Sequence, residues 1–191
     1  LMGSLFSGGG ITQPVDGRYN ILLLGSDNAS DRIGVRPDSI SVISIDAVTG
    51  QMVNIGIPRN LQKVPFPVDS PLHKVYPNGW SCGIDCLINA IYMDVTNNHA
   101  DLYPNAEKEW STPGIEATKE AVEGVTGLRI QSYVMVNMAG FKHLIDALGG
   151  VTITVTERLP IGGQEDAYGQ PINVKGWIEP GTQHMDGKTA L

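Results

Sequence analysis

Tyr19-Asn20-Ile21-Leu22-Leu23-Leu24-Gly25-Ser26-Asp27, Arg36-Pro37-Asp38-Ser39-Ile40-Ser41-Val42-Ile43-Ser44-Ile45 and Met52-Val53-Asn54-Ile55-Gly56-Ile57-Pro58-Arg59 are the stretches that decide the fold. Each carries an apolar, β-branched run of strand length, which predicts strands over 19–24, 40–45 and 52–57. The link Asp46-Ala47-Val48-Thr49-Gly50-Gln51 is short and turn-rich and reads as the bend of a hairpin. In a hairpin the start of one strand lies beside the end of the next. Asp38, just before the second strand, and Arg59, just after the third, are therefore neighbours by topology. If the first strand runs parallel to the third, Asp27 arrives at the same end. Two carboxylates (Asp27, Asp38) and two guanidinium groups (Arg36, Arg59) then share one rim. Carboxylates hold hard divalent cations through oxygen, and arginines grip phosphate oxygens in bidentate fashion. Together they are the set that a metal-bound diphosphate needs.

The chain's 191 residues are enough for one sizeable domain with a real core. We divide the chain into a Gly- and Ser-rich flexible tail or expression remnant at 1–10 and a single domain at 11–191. A net charge of −7 argues against general nucleic-acid binding, which shows a basic face, so no nucleic-acid partner is expected. No apolar run approaches the length that spans a bilayer. Cys82 and Cys86, four residues apart and the only cysteines, suggest a local disulfide in an oxidising compartment. The other reading is two reduced cysteines at a helix start. His73, His99, His143 and His184 are scattered and form no metal-binding pair.

Strand-like and helix-like segments alternate, which favours an α/β layered fold. Ile84, Leu87, Ile88, Ile91 and Val95 recur at helical spacing. A second helix is expected over 115–126, with Ser111-Thr112-Pro113 supplying cap and first-turn chemistry. Phe141, Leu144, Ile145 and Leu148 form a third stripe that stops at Gly149-Gly150. Asp146, beside that stripe, reads as structural. Further strands are expected over 131–137 and 151–156, a surface excursion over 97–110 and a loop over 162–181. The segment from Gly181 to Leu191 reads as a turn entering a helix capped by Asp186. A chain stopping there suggests a further C-terminal piece.

One stretch points elsewhere. Gly79-Trp80-Ser81-Cys82-Gly83 matches G-x-S-x-G, the nucleophile elbow of α/β-hydrolases. A small serine hydrolase using Ser81 is thus an alternative. Against it, the preceding segment 72–78 is broken by Pro71 and Pro77 and offers no buried strand.

In order and spacing, Asn20–Asp27, Arg36–Asp46 and Ile57-Pro58-Arg59 resemble the LytR–CpsA–Psr family. So do Lys74 in His73-Lys74-Val75-Tyr76, Tyr133 to Phe141, Leu144 to Val151, and Met185 to Leu191. The resemblance implies a central mixed β-sheet flanked by α-helices, with a long apolar cavity for a lipid tail. It implies a membrane-anchored enzyme on the extracytoplasmic face of a bacterial cell, its anchor absent from this chain. Such enzymes transfer a glycopolymer from a polyprenyl-diphosphate carrier to peptidoglycan. Carried across by motif position, Asp27 and Asp38 would ligate Mg²⁺. Arg36, Arg59 and Lys74 would contact the diphosphate, making Arg36, Asp38 and Arg59 the catalytic set. The chain departs from the family pattern at Pro37, where serine is commoner, and at Asn60, where aspartate is. The family's Arg-x-Arg pair after Asp186-Gly187 has no counterpart within 1–191. A third reading, a polyprenyl-phosphate binding module without turnover, keeps the same phosphate site.

Overall fold

The computed structural model describes residues 13–26, 36–106 and 111–191. The three leading stretches form β1 (Arg18–Ser26), β2 (Pro37–Asp46) and β3 (Met52–Ile57). β1 pairs antiparallel with β2, and β2 antiparallel with β3. β4 (Ser132–Asn137) joins the free side of β1 in parallel, giving the order β3-β2-β1-β4. The sheet is therefore mixed, and β1 does run parallel to β3. Short-range chemistry sets the turns. Asp16 and Gly17 take φ of 51° and 75°, and Val15 and Arg18 exchange both backbone hydrogen bonds at 3.0 Å. This is the two-residue Asp-Gly turn that suits strand twist. Asp46 closes the next hairpin by accepting from the N–H groups of Val48 and Thr49, which holds its carboxyl below the usual range.

One face of the sheet makes the core. Leu22 and Leu24 of β1 and Ile40 and Val42 of β2 are buried there. They belong to one apolar cluster with Ile91 and Val95 of α2 (Ile91–Asn98) and Ile115, Ala121 and Val122 of α3 (Pro113–Thr126). Burying each large aliphatic side chain is worth about 1.5–3 kcal/mol. α3 begins where its cap chemistry predicts. Thr112 Oγ1 accepts from the Ile115 N–H at 3.3 Å, Pro113 occupies the first turn, and Gly127 ends the helix at φ 72°. Two glycines let α3 approach its neighbours. A Cβ on Gly114 would stand 2.5 Å from the Tyr92 carbonyl oxygen, and one on Gly124 would collide with the Pro65 carbonyl.

The stripe from Ile84 to Val95 is not one helix. Cys82 and Cys86 are disulfide-bonded, with Cα atoms 5.2 Å apart. The loop they close lifts Ile84 into solvent, 83% exposed. A 3₁₀ turn starts at Ile88, and α2 only at Ile91. The excursion over 97–110 is shorter than expected, because α2 runs to Asn98 and a 3₁₀ turn spans Ala100–Leu102.

The chain divides into two compact units, Leu1–Met138 and Ala139–Leu191. The second holds most of α4 (Met138–Ala147), the predicted third stripe, where Ile145 is buried but Leu148 is exposed. Beyond the Gly149-Gly150 turn, β5 (Val151–Val155) pairs antiparallel with β10 (Gly181–Met185). The expected loop over 162–181 contains short strands instead. β6 (Leu159–Ile161) pairs with β9 (Gly176–Ile178), and β7 (Gln164–Glu165) with β8 (Pro171–Ile172). The segment from Gly181 to Leu191 enters as a strand rather than a turn. No helix follows it: residues 187–189 make a turn, which Asp186 closes by accepting from the Thr189 N–H at 2.8 Å, so the expected helix cap is a turn contact instead. Asp146 is structural, as expected. It accepts from the Gly187 N–H at 2.8 Å and pairs with Lys142 at 3.0 Å, and these contacts hold its carboxyl below the usual range.

Candidate functional site

The rim is formed by the ends of strands whose directions the sequence predicts. Ser26 at the end of β1 faces Pro37 at the start of β2, and Ile40 faces Ile57 near the end of β3. Asn137, at the end of β4, faces Ser26 on the other side. One sheet edge thus gathers the exits of β1, β3 and β4 and the entry of β2.

Asp38 and Arg59 meet on this edge. They lie two residues beyond the Ile40–Ile57 pair, on opposite strands, and the Arg59 guanidinium donates to Asp38 Oδ1 as an ion pair. The side chains are 59% exposed for Arg59 and 34% for Asp38, so the pair faces solvent. Each is aimed by a local device. Gly25 faces Ser39 while its successor Ser26 faces Pro37, which leaves Asp38 as an extra residue in β2. A bulge of this kind turns a side chain out of the strand alternation. Pro37, with no N–H to contribute, suits that irregular position, and its ring is fully buried. A Cβ on Gly25 would stand 3.2 Å from Ser39 Cβ, so the two strands approach closely here. Arg59 sits in a turn closed by the Leu61 N–H donating to the Pro58 carbonyl at 3.1 Å.

The turn is held from its far side. The Ile88 N–H donates to the Leu61 carbonyl at 2.9 Å, and the Asn89 N–H to the Arg59 carbonyl at 3.4 Å. The disulfide loop leads straight into this segment.

The remaining expected residues divide. Arg36 is exposed and two residues before Asp38, at the same strand end. Asp27 lies outside the described residues. Lys74 is on the last turn of α1 (Pro71–Val75), exposed. Among the described residues it makes no hydrogen bond or ion pair with Asp38 or Arg59. α1 itself is anchored through its cap. Ser70 Oγ accepts from the Leu72 N–H at 3.1 Å and donates to Glu120 Oε2 at 2.6 Å. Tyr103 donates to the same oxygen at 2.5 Å. Burial pushes the Glu120 carboxyl up, against the opposing pull of these two hydrogen bonds, and burial also pushes the Tyr103 hydroxyl up.

The elbow around Ser81 does not form. The chain before it makes a single bridge, Trp80 with Val64, in place of a strand, and the chain after it is the disulfide loop in place of a helix. Sequence reasoning has no signal for the bulge at Asp38 or for the burial of Asn89 beside Arg59, since both are pairing relationships between distant segments.

Among the described residues, no three His, Cys, Asp or Glu side chains form a metal cage. Mg²⁺ does not require one. It keeps several waters and binds through one or two carboxylates plus substrate phosphate oxygens. Asp38 fits that demand: Arg59 engages Oδ1, and Oδ2 makes no hydrogen bond among the described residues.

A teichoic acid transferase of Oceanobacillus iheyensis, polyisoprenyl-teichoic acid–peptidoglycan teichoic acid transferase TagU, is 32% identical over 173 residues, 90% of this chain and 41% of its own. Biofilm regulatory protein A of Streptococcus mutans is 29% identical over 96 residues, 50% of this chain and 23% of its own. The chain thus spans less than half the length of these relatives. Among solved structures, B. subtilis TagV superposes with a TM-score of 0.57 at 23% identity, covering 92% of this chain and 54% of that one. The family protein YwtF (TagT), solved with bound octaprenyl pyrophosphate lipid, gives 0.54 at 20% identity, covering 94% and 57%. At these identities the structures speak for the fold. The model of the LytR_cpsA_psr family matches residues 10–191, nearly the whole of the sequence, and the chain belongs to that family.

Proposed function

We propose that this domain is a glycopolymer–peptidoglycan phosphotransferase acting on a polyprenyl-diphosphate carrier at the extracytoplasmic face of a bacterial membrane. The observation that carries the reading is the Asp38–Arg59 pair at a sheet edge, set there by a bulge and a turn. The names of the relatives and the lipid in the TagT structure support the substrate class. An acceptor hydroxyl of peptidoglycan attacks the phosphorus that bears the glycopolymer. The new P–O bond joins polymer to wall, the bond to the second phosphate breaks, and polyprenyl monophosphate departs. Arg59 and Arg36 bind the diphosphate oxygens that gain charge as that bond breaks, which is where preorganised donors lower a barrier most. Asp38, with Asp27, would hold Mg²⁺, which would supply positive charge to offset that of the phosphates. Lys74 adds a point charge toward the same head group. An apolar cavity for the polyprenyl tail belongs to this proposal, each buried CH₂ contributing about 0.8 kcal/mol. No helix among the described residues is long and apolar enough to cross a membrane.

The test is transfer of a polyprenyl-diphosphate-linked glycopolymer to peptidoglycan, with and without Mg²⁺. Asp38→Ala should remove the metal-dependent rate and leave the fold intact, while Ser81→Ala should change nothing. Loss only in Ser81→Ala would return the protein to the hydrolases. Tight, metal-independent binding with no transfer would make it a carrier-binding module.

A further inference from the structure

The ribbon of β6 to β9 lies within the second unit and is exposed in an ordered way. From Thr156 to Asn173 every residue except Asp166 is exposed. A two-stranded ribbon is marginal in water by itself, yet this one is pinned along its length. At its base Arg158 pairs with Glu179 at 3.1 Å and lies 4.2 Å over the Trp177 ring. Midway, the Lys175 N–H donates to the Ile161 carbonyl at 2.9 Å, and a Cβ on Gly163 would stand 2.6 Å from the Ile172 carbonyl oxygen. At the tip the Asp166 carboxylate accepts from the Tyr168 and Gln170 N–H groups, both at 2.8 Å, while its own N–H donates to the Gln170 carbonyl at 2.9 Å. Asp166 is sheltered because its carboxylate closes this turn. The turn carries Tyr168, whose ring is 89% exposed and adds nothing to the core. An aromatic side chain held ready on a fixed backbone is what a binding surface uses as an anchor, since little freedom is left to lose.

The surrounding chemistry selects the partner. From Leu159 to Val174 the ribbon has no lysine or arginine, and its only charges are the carboxylates of Glu165 and Asp166. That balance repels a polyanion, so neither a phosphate-rich polymer nor an anionic lipid surface fits it. The other polar side chains there, besides Tyr168, are the exposed amides of Gln164, Gln170 and Asn173. A ring and neutral amides suit a neutral sugar strand. The ring covers the C–H face of a pyranose, and each amide both donates to and accepts from hydroxyl and N-acetyl groups. We propose that the β6–β9 ribbon is a docking surface for the glycan strand of peptidoglycan, with Tyr168 as its anchor. The choice of glycan rests on the function proposed above, to which it adds the surface that holds the acceptor.

The experiment is co-sedimentation of the full chain with insoluble peptidoglycan stripped of its wall polymers, without carrier lipid or Mg²⁺. Melting temperature and sedimentation velocity are measured on the same preparations. Tyr168→Ala should bind about tenfold more weakly, the size of one lost aromatic anchor, with its melting temperature unchanged. Tyr168→Phe should keep the affinity, because the ring makes the contact. Arg59→Ala should sediment with peptidoglycan as wild type does. Wild-type affinity in Tyr168→Ala, or affinity lost only in step with unfolding, overturns the proposal. So does a dimer that Tyr168→Ala dissociates, which would assign the ribbon to a second copy of the chain. If wild type transfers no polymer while its binding to peptidoglycan still depends on Tyr168, the transferase reading falls and the docking surface stands. If transfer depends on Arg59 and binding ignores Tyr168, only the docking surface falls.

Discussion

Replacing Arg59 by alanine separates a catalytic arginine from a structural one, because the two roles differ by more than an order of magnitude in what they predict. The structural stake is small. Arg59 is 59% exposed and its partner Asp38 34%, so the pair lies in a high-dielectric, salt-screened setting. Exposed ion pairs contribute about 0–1 kcal/mol. The turn around Arg59 is held by backbone contacts from Leu61, Ile88 and Asn89, which the substitution leaves in place. Arg59→Ala should therefore shift the unfolding free energy by less than about 1 kcal/mol. The catalytic stake is larger. Losing one preorganised donor to a transition-state oxyanion costs about 2.7–4 kcal/mol, or 10²–10³ in rate. Arg59→Lys should fall between, since it keeps the charge and loses the planar fork that meets two phosphate oxygens at once. The assay is single-turnover release of polyprenyl phosphate with peptidoglycan acceptor and Mg²⁺, with urea unfolding of the same preparations. A rate within threefold of wild type would refute the reasoning. So would a destabilisation of several kcal/mol, which would make Arg59 a structural residue.

Three further outcomes follow from the packing. Gly124→Ala places a methyl into the Pro65 carbonyl, backbone that cannot swing away, and should destabilise by about 1–3 kcal/mol or more in urea unfolding. Replacing Cys82 and Cys86 by serine opens a five-residue loop. Chain entropy assigns that loop about 2 kcal/mol, and transfer rate should fall too, because the loop leads into the segment that supports Arg59. Glu120→Gln tests the buried carboxylate. Burial raises its folded pKa above the ordinary 4.5, so the stability tied to its protonated form is complete below about pH 4.5 and is lost as pH rises through the folded value. The advantage of Glu120→Gln over wild type in urea unfolding should therefore grow from pH 4 to pH 7, a tenfold tighter hold on the proton in the folded chain being worth about 1.4 kcal/mol. An advantage that shrinks across that range would show the carboxylate to be stabilised by its partners instead.

The parts of the fold legible in sequence are those set by neighbours along the chain. The hairpin of β2 and β3 follows from its alternation and its Asp46–Gly50 turn, and α3 from Thr112-Pro113 at one end and Gly127 at the other. What is not legible depends on partners far away. Ile84 and Leu87 keep helical spacing with Ile88, yet a covalent bond between Cys82 and Cys86 overrides it. β10 carries no apolar alternation in Gly181-Thr182-Gln183-His184-Met185 and is a strand because β5 offers it a ladder, with Thr154 and Thr182 hydroxyls 3.1 Å apart across it. Residues 162–181 fold by turns too short for a periodic signal, such as the one Asp166 closes by accepting from the Tyr168 and Gln170 N–H groups. For the site, strand direction is enough to bring Asp38 to Arg59. It is not enough to show Asn89 beside them.

The pairing of Asp38 with Arg59 also constrains the order of events at the rim. A carboxylate oxygen engaged by a guanidinium is a poorer ligand for a cation, and a guanidinium engaged by a carboxylate is a poorer clamp for phosphate. Under the proposed function, Asp38 would exchange Arg59 for Mg²⁺ and Arg59 would exchange Asp38 for phosphate, each replacing one unit of opposite charge by another. Because the resting pair is exposed and worth at most about 1 kcal/mol, breaking it costs little, while its presence keeps both side chains near the positions that the ligand needs. The same argument explains why the aiming devices are backbone ones. The bulge at Asp38 and the turn at Arg59 are built from backbone pairing that does not involve the Asp38–Arg59 ion pair, so trading side-chain partners would not require the strands to move.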